Sequence, residues 1–429
     1  MKLRSHNTRF KRAILNCWFM GFVLLLLVQC SSERRGESLQ LPYTHVPGNY
    51  FTDTVVVEFS KNFSVSYHGN YKVVKAKVPH RVAGGQEDSV RWNNAFTDVM
   101  VLVQNGTNPP PLVGALKDAT VIVVPVQRMA GNSDDSPTRF TALGKREKIV
   151  GLGHIDIYDE YLKSRVDSGY IQPIGASWQA SPNLEILVQL KPDITFLTIA
   201  SMVQSEGLKK TRSMGLPSAP DFSWSESSYL AQLEWIKYDA VFMNAEKEAT
   251  NYFNEIKYKC DSLKNLVMGI KEKPRVMWGM HKKGLWTVRV NDSFAKLMED
   301  AGAINAFGSD GGIVNETVSN GLSEGVTIPD EVVFKELPSL NYIISFQSTT
   351  ENWPPQTFMS TSPAYRHEKL YHHFKRYKDY GGHDWYQTAS MRPDLVLKDL
   401  IGLFHPQVIP NHGSFFFNRI TVVKEAKKS

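Results

Sequence analysis

"NAEKEATNYFNEIKYKCDSLKNLVMG" occupies Asn244–Gly269, and its reading decides the architecture. Ala249, Tyr252, Phe253, Ile256, Cys260, Leu263 and Val267 recur at helical spacing, and neither Gly nor Pro interrupts the run from Ala245 to Met268. A helix over 245–268 would extend roughly 35 Å at 1.5 Å per residue. A helix of that length with one apolar stripe acts as a rigid connector, so the chain should divide into a part before it and a part after it.

Both parts read as α/β. Upstream, "ATVIVVPV" (Ala119–Val126) is a continuous apolar, β-branched run of the kind expected for a strand buried on both faces. "KIVGLG", "GYIQPIG" and "ITFLTIA" follow it, separated by helical stretches such as "TRFTALGKRE". Downstream, "PRVMWGM", "DEVVFKEL", "NYIISF" and "RPDLVLKDLIGLFHP" repeat the alternation. Strands alternating with helices predict mostly parallel sheets. Before them, from Thr54 to Val103, "TVVVEF", "FSVSYH", "YKVVKAKV" and "DVMVLVQ" show period-two patterning, which predicts a small β-rich extension. The expected organisation is a leader over 1–29, a tether over 30–50, the extension over 51–118, an N-terminal lobe over 119–244, the connecting helix over 245–268 and a C-terminal lobe over 269–429.

The chain has 429 residues, 42% of them hydrophobic and 21% charged, which places it among globular proteins rather than disordered or multi-span membrane chains. The net charge of +6 does not argue for nucleic acid. Residues 1–30 hold five Lys and Arg and no acid, so a leader supplies five of the six net charges. That leader has a basic start and an apolar run, "AILNCWFMGFVLLLLV", and ends "LVQC" at Cys30. Cysteine directly after the run resembles a bacterial lipobox, which implies cleavage before Cys30 and lipid on it. The other reading is an uncleaved anchor helix, for which Ala13 to Val28 is short against the roughly 20 residues a span needs. Either way the body is exported and tethered. Beyond the leader only Cys260 remains, with no disulfide partner and no metal-ligand spacing, which reads as a buried small hydrophobe.

Three stretches carry a resemblance. "SWQASPNLEILVQLKPDITFL" (Ser177–Leu197) looks like a first-lobe signature, "DEVVFKELPSLNYII" (Asp330–Ile344) like its second-lobe counterpart, and "DWYQTASMRPDLVLKDL" (Asp384–Leu400) like the segment that closes a cleft and opens the last large helix. "EWIKYDAVFMNAEKEA", just before the connector, is similar to the iron-complex branch. Together, over Val121 to Ile409, they resemble the helix-linked (class III) substrate-binding proteins of ABC importers, which take up ferric siderophores, haem and cobalamin. The resemblance implies a lipid-anchored, monomeric receptor with no catalytic residues and no cofactor of its own. Its partners would be a permease and its ATPase, and its ligand a ferric complex, haem or corrinoid.

The resemblance also assigns roles to single residues. Glu185 reads by itself as a first-turn carboxylate after Ser181 and Pro182, complementing the helix dipole. In the family a glutamate on each lobe meets permease arginines, and Glu185 and Glu331 match those positions. Trp178, Trp286, Trp385 and Tyr386 match walls of the cleft, where aromatic faces suit planar amphipathic ligands. The competing reading of the tryptophans is core packing. Arg128 and Arg289 follow strands where an α/β sheet feeds a crevice, and would favour an anionic complex. The competing reading is a surface or helix-capping arginine.

"RHEKLYHHFKRY" (Arg366–Tyr377) begins like a zinc motif, but Tyr371 stands where the second His belongs, so it reads as a solvated basic helix. Walker and nucleophile-elbow motifs are missing from the sequence. Two other functions stay open beside transport of a metal complex: an adhesion or scaffolding lipoprotein with the same fold, and a receptor for bare zinc or manganese, which would need three or four converging His and carboxylate ligands.

Overall fold

Three of the four alternating stretches in the early chain become strands of a four-stranded sheet, while "TVVVEF" (Thr54–Phe59) forms none. In the computed structural model β1 (Phe63–His68), β2 (Tyr71–Lys77) and β3 (Thr97–Gln104) pair antiparallel, and β4 (Thr120–Val124) joins β3 in parallel. The structure describes residues 48–77, 97–177, 179, 181–308 and 325–423. All lie in the unit His45–Ser429. Phe63, Val74, Met100, Leu102, Ile122 and Val124 turn one face of this sheet into the core. On β4 the alternate residues Val121 and Val123 are 37% and 55% exposed. The expectation of two-face burial for "ATVIVVPV" is therefore corrected: β4 is the half-exposed edge of the small sheet, a place that β-branched residues also suit.

The first lobe's own sheet comes next. β5 (Met129–Gly131), β6 (Ile149–Leu152), β7 (Gln172–Pro173), β8 (Ile194–Thr198) and β9 (Ser218–Asp221) are all parallel, in the order β7-β6-β5-β8-β9. Helices α1 (Ser136–Ala142), α2 (Glu160–Asp167), α3 (Leu184–Leu190) and α4 (Met202–Ser213) make the crossovers. Strand order reverses between β5 and β8, so the carboxyl ends of these two strands open a crevice. The N-cap of α3 is Asn183, whose side chain accepts from the Ile186 N–H at 3.1 Å, rather than Ser181. Lys191, in the left-handed conformation at φ 47°, ends the helix just before Pro192.

Helices α5 (Tyr229–Leu233) and α6 (Trp235–Val241) lead into α7 (Glu246–Val267). The connector is thus 22 residues long, capped by Ala245 and Met268, and buries Ala249, Phe253, Ile256, Cys260 and Val267 along one stripe. Cys260 is a free, buried thiol whose pKa is pushed up by burial.

The second lobe holds β10 (Arg275–Lys282), β11 (Leu285–Val288), α8 (Ser293–Asp300), β12 (Ile304–Asn305), β13 (Val326–Pro329), α9 (Asp330–Glu336), β14 (Tyr342–Ser345), β15 (Leu370–His372), α10 (Asp384–Thr388), α11 (Pro393–Phe404) and β16 (Asn418–Arg419). Its sheet is mixed, with β11 and β16 running against the rest. α11 packs along α7, and the Tyr252 hydroxyl donates to the Met391 carbonyl at 3.0 Å. The stretch "RHEKLYHHFKRY" is not a solvated helix. Its centre is strand β15, where parallel pairing with β14 carries His372 into the sheet, and His373, the next residue, is fully buried.

The extension is bonded to the helices that precede the connector. Glu234, itself fully buried, accepts the backbone N–H groups of Glu58, Phe59 and Ser60, each at 2.8 Å, and pairs with buried Lys237 at 2.8 Å. Lys72, also fully buried, donates to the Val241 carbonyl, to Asn244 and to Glu246 in the first turn of α7. Among the described residues no helix is long and apolar enough to cross a membrane.

Candidate ligand-binding site

The lobes meet along a polar seam. Gln387 on α10 reaches the first-lobe loop after β6, where its amide donates to the Asp156 carbonyl at 2.9 Å and accepts from the Tyr158 N–H at 2.8 Å. A side-chain amide used this way satisfies a backbone donor and acceptor as a strand neighbour would. The Tyr380 hydroxyl donates to the Ile157 carbonyl at 3.0 Å, and Lys378 pairs with Glu160 at 2.8 Å. Gly381 is required at this seam: at φ 107° it lies in a region that favours glycine, and a Cβ would sit 3.2 Å from the Asp156 carboxylate.

Helix α10 has a different environment on each face. Asp384, Gln387 and Thr388, at helical spacing, line a cavity of about 550 Å³ between the lobes. Thr138, Thr141, Tyr158 and Tyr161 form its first-lobe wall, and Arg376, Arg392 and Phe415 belong to the second lobe. The cations there are neutralised: Arg376 by Asp384, Arg392 by Asp394 at 2.8 Å. The cavity is therefore no strong anion trap.

Tyr386 projects away from that cavity. Its ring lies 5.9 Å from Phe374 and from His383, His383 lies 4.6 Å from Tyr377, and Phe374 lies 4.4 Å from His373. Tyr377 and Tyr386 are 49% and 45% exposed, so these rings form an aromatic face open to solvent. Burial lowers His383 in this face, and His372 and His373 behind it, from the ordinary imidazole range. Across the seam, His154 is held above that range by its hydrogen bond to Asp134, 3.1 Å away. Among the described residues no three His, Cys, Asp or Glu side chains converge as a metal site.

Two expected wall residues belong to the core instead. Trp286 is fully buried against Trp353 and His281, because β11 turns it into the second lobe's interior. Trp385, 4% exposed, packs on His373 and Trp278 behind the aromatic face and supports it without forming it. Arg128 is corrected as well. The strand it follows, β4, belongs to the small sheet, so Arg128 stands at the amino end of β5 instead of the carboxyl end of a lobe strand, and its guanidinium donates to the Leu190 carbonyl at 2.7 Å, capping α3. Arg289 does lie near the carboxyl end of the sheet but is buried, paired with Asp292 at 3.1 Å and stacked on Phe294 and Phe346. Trp178 and Cys30 lie outside the described residues. Phe374, Tyr377 and His383 were missed, having sat in or next to a stretch read as a basic helix.

Glu185 and Glu331 occupy equivalent places. Each is exposed in the first turn of a short helix, α3 or α9, whose chain continues into the strand beside its lobe's first strand. Neither makes a hydrogen bond or ion pair among the described residues, whereas Asp330, beside Glu331, is engaged by His281 at 3.0 Å.

Two α/β lobes joined by one helix, with an aromatic face beside the seam between them, define a solute-binding protein of the helix-linked type. The chain belongs to the periplasmic binding proteins: the family model so described matches residues 138–367, more than half its length. The family's chemistry is small-molecule binding in partnership with an ABC transporter, not catalysis. Two uncharacterized lipoproteins of Methanocaldococcus jannaschii are similar. One is 22% identical over 390 residues, 88% of this chain and 89% of the relative; the other is 23% identical over 323 residues, 72% and 76%. Among solved structures, the periplasmic heme-binding protein RhuT from Roseiflexus sp. RS-1, in apo form, is 18% identical with a TM-score of 0.49 over 66% of this chain and 99% of that one. An ABC transporter solute binding protein from Sulfurospirillum deleyianum is 17% identical with the same TM-score over 71% and 88%.

Proposed function

We propose that this chain is a lipid-anchored receptor that captures an iron complex (a ferric siderophore or haem) or a corrinoid at the aromatic face beside the interlobe seam and hands it to an ABC permease. The observation that carries the reading is the solvent-open aromatic face of Phe374, Tyr377, His383 and Tyr386. Flat aromatic rings cover a planar amphipathic ligand with little loss of side-chain entropy. The His383 imidazole there would offer a lone pair to a metal with a free coordination position, which favours haem or a corrinoid over a siderophore whose iron is saturated.

Removing Tyr377 and Tyr386 together, as the double alanine variant, is expected to weaken binding at least about tenfold, since a stacked aromatic pair contributes about 0.5–1.5 kcal/mol beyond its buried area. Trp286→Phe should leave affinity unchanged and lower stability. Titrations with haem, cobalamin and ferric siderophores measure both. Equal affinity in the double variant would move the ligand elsewhere.

Anchoring rests on "LVQC". Cys30→Ser is expected to abolish labelling by a fatty-acid analogue and to release the protein from membranes. Persistent labelling would contradict lipid at Cys30. The docking roles proposed for Glu185 and Glu331 are supported by their exposure, their lack of partners among the described residues and their equivalent placement. Two carboxylates held on a rigid pair of lobes supply both affinity and register to a surface bearing two arginine clusters.

A further inference from the structure

Arg139 on α1 is buried with three carboxylates around it. It forms a two-point contact with Asp239, at 2.6 and 2.8 Å, and donates to Asp221 at 2.8 Å and to the Ser223 hydroxyl at 3.3 Å. Asp135 stands 3.5 Å from the same guanidinium. All four charged side chains are at least nine-tenths buried. One cation cannot neutralise three carboxylates, and two excess negative charges out of water are strongly disfavoured. Among the described residues the surroundings supply no second cation: Tyr238 faces Asp221 and Asp239 but spends its hydroxyl on the Pro220 carbonyl, and Arg212 is held by Asp98. Burial, opposed by Arg139, holds the Asp135 carboxyl above its ordinary range and pushes Asp239 up to about 7.

Asp135 is also the member of this cluster that touches the other lobe. Its Oδ1 accepts from Ser133 at 2.7 Å, and its Oδ2 accepts from the Ser390 hydroxyl at 2.8 Å, just beyond α10. We propose that the Asp135–Ser390 contact is a proton-linked latch between the lobes: the closed seam keeps a proton in the Arg139 cluster, and opening the seam releases it. Parting the lobes by a few ångströms breaks the contact and lets water reach Asp135, removing the burial that favours its protonated form. The direction follows from linkage. The closed state binds more protons, so the closed-to-open ratio falls as pH rises above the ordinary carboxylate range, by at most about tenfold per pH unit for one proton. No ligand is needed for this effect, so it stands apart from the identity of the solute.

Hydrogen exchange of the full-length chain reads the seam directly, because the Tyr158 N–H donates across it to Gln387. After correction for the intrinsic pH dependence of exchange, its protection is expected to fall several-fold from pH 5 to pH 8. In Asp135→Asn, which cannot ionise, that slope should vanish. In Ser390→Ala, protection should be lower at every pH. A wild-type slope in Asp135→Asn, or unchanged protection in Ser390→Ala, would overturn the latch. Ser390 belongs to the second lobe and to no charged cluster, so its variant decides the matter even where the Asp135 substitution impairs folding.

Discussion

Alanine at both Glu185 and Glu331 is expected to abolish or strongly reduce uptake while the protein still folds and still binds its ligand. The two side chains are exposed and without partners among the described residues, so no hydrogen bond or ion pair there is lost with their carboxylates. Exposed substitutions of this kind usually change stability by within about 0.5 kcal/mol. Glu185 adds a modest helix-dipole term at the start of α3. What the double variant loses is the pair of carboxylates that would meet arginines on the permease. Each single variant should fall part of the way, and reversal to Arg should be more severe than Ala because it brings like charges together. Importer ATPase stimulation and whole-cell uptake are the measurements. Normal uptake by the double variant would remove the docking assignment. Lost ligand affinity would place these carboxylates in the binding site.

Glu234→Ala should produce the largest change in stability. The substitution orphans three backbone N–H groups of the extension and leaves Lys237 as a buried cation without its carboxylate. Breaking a buried pair by removing one partner costs about 3–5 kcal/mol. The damage should reach the connector, because α6, through Lys237 and the Val241 carbonyl, and the first turn of α7, through Glu246, also bond the extension. Adding Lys237→Met should recover part of the loss by removing the uncompensated charge. Urea unfolding measures both. A loss below 1 kcal/mol would mean the extension is a loosely attached appendage.

The connector was legible because 22 residues gave a long window for period 3.6, with no Gly or Pro to blur it. Of the first lobe's parallel strands, β6, β7 and β8 were legible in "KIVGLG", "GYIQPIG" and "ITFLTIA", whereas β5 and β9, "MAG" and "SAPD", are too short and too little apolar to stand out. The failures have separate physical causes. β15 carries "LYH", a short and polar-looking strand whose burial is imposed by β14 beside it, so composition pointed to a surface helix. β4 has the composition of a central strand, yet pairing with β3 leaves two of its valines outside. Arg128 was misplaced because β5 begins at Met129, one residue after it, a boundary finer than the apolar pattern resolves. Trp286 and Trp385 have the ring area for a ligand wall or for a core, and only the tertiary fold selects between them. The aromatic face draws Phe374, Tyr377, His383 and Tyr386 together across a turn, and no spacing rule in the sequence announces that.

Calorimetric titration of the full-length protein with haem, cobalamin and ferric siderophores, repeated on the Tyr377 and Tyr386 double alanine variant, tests the account most directly. One of these ligands is expected to bind with a stoichiometry of one and to lose affinity at least about tenfold in the variant. Binding of none of them, or binding that the variant leaves untouched, would contradict capture of a metal complex at this aromatic face.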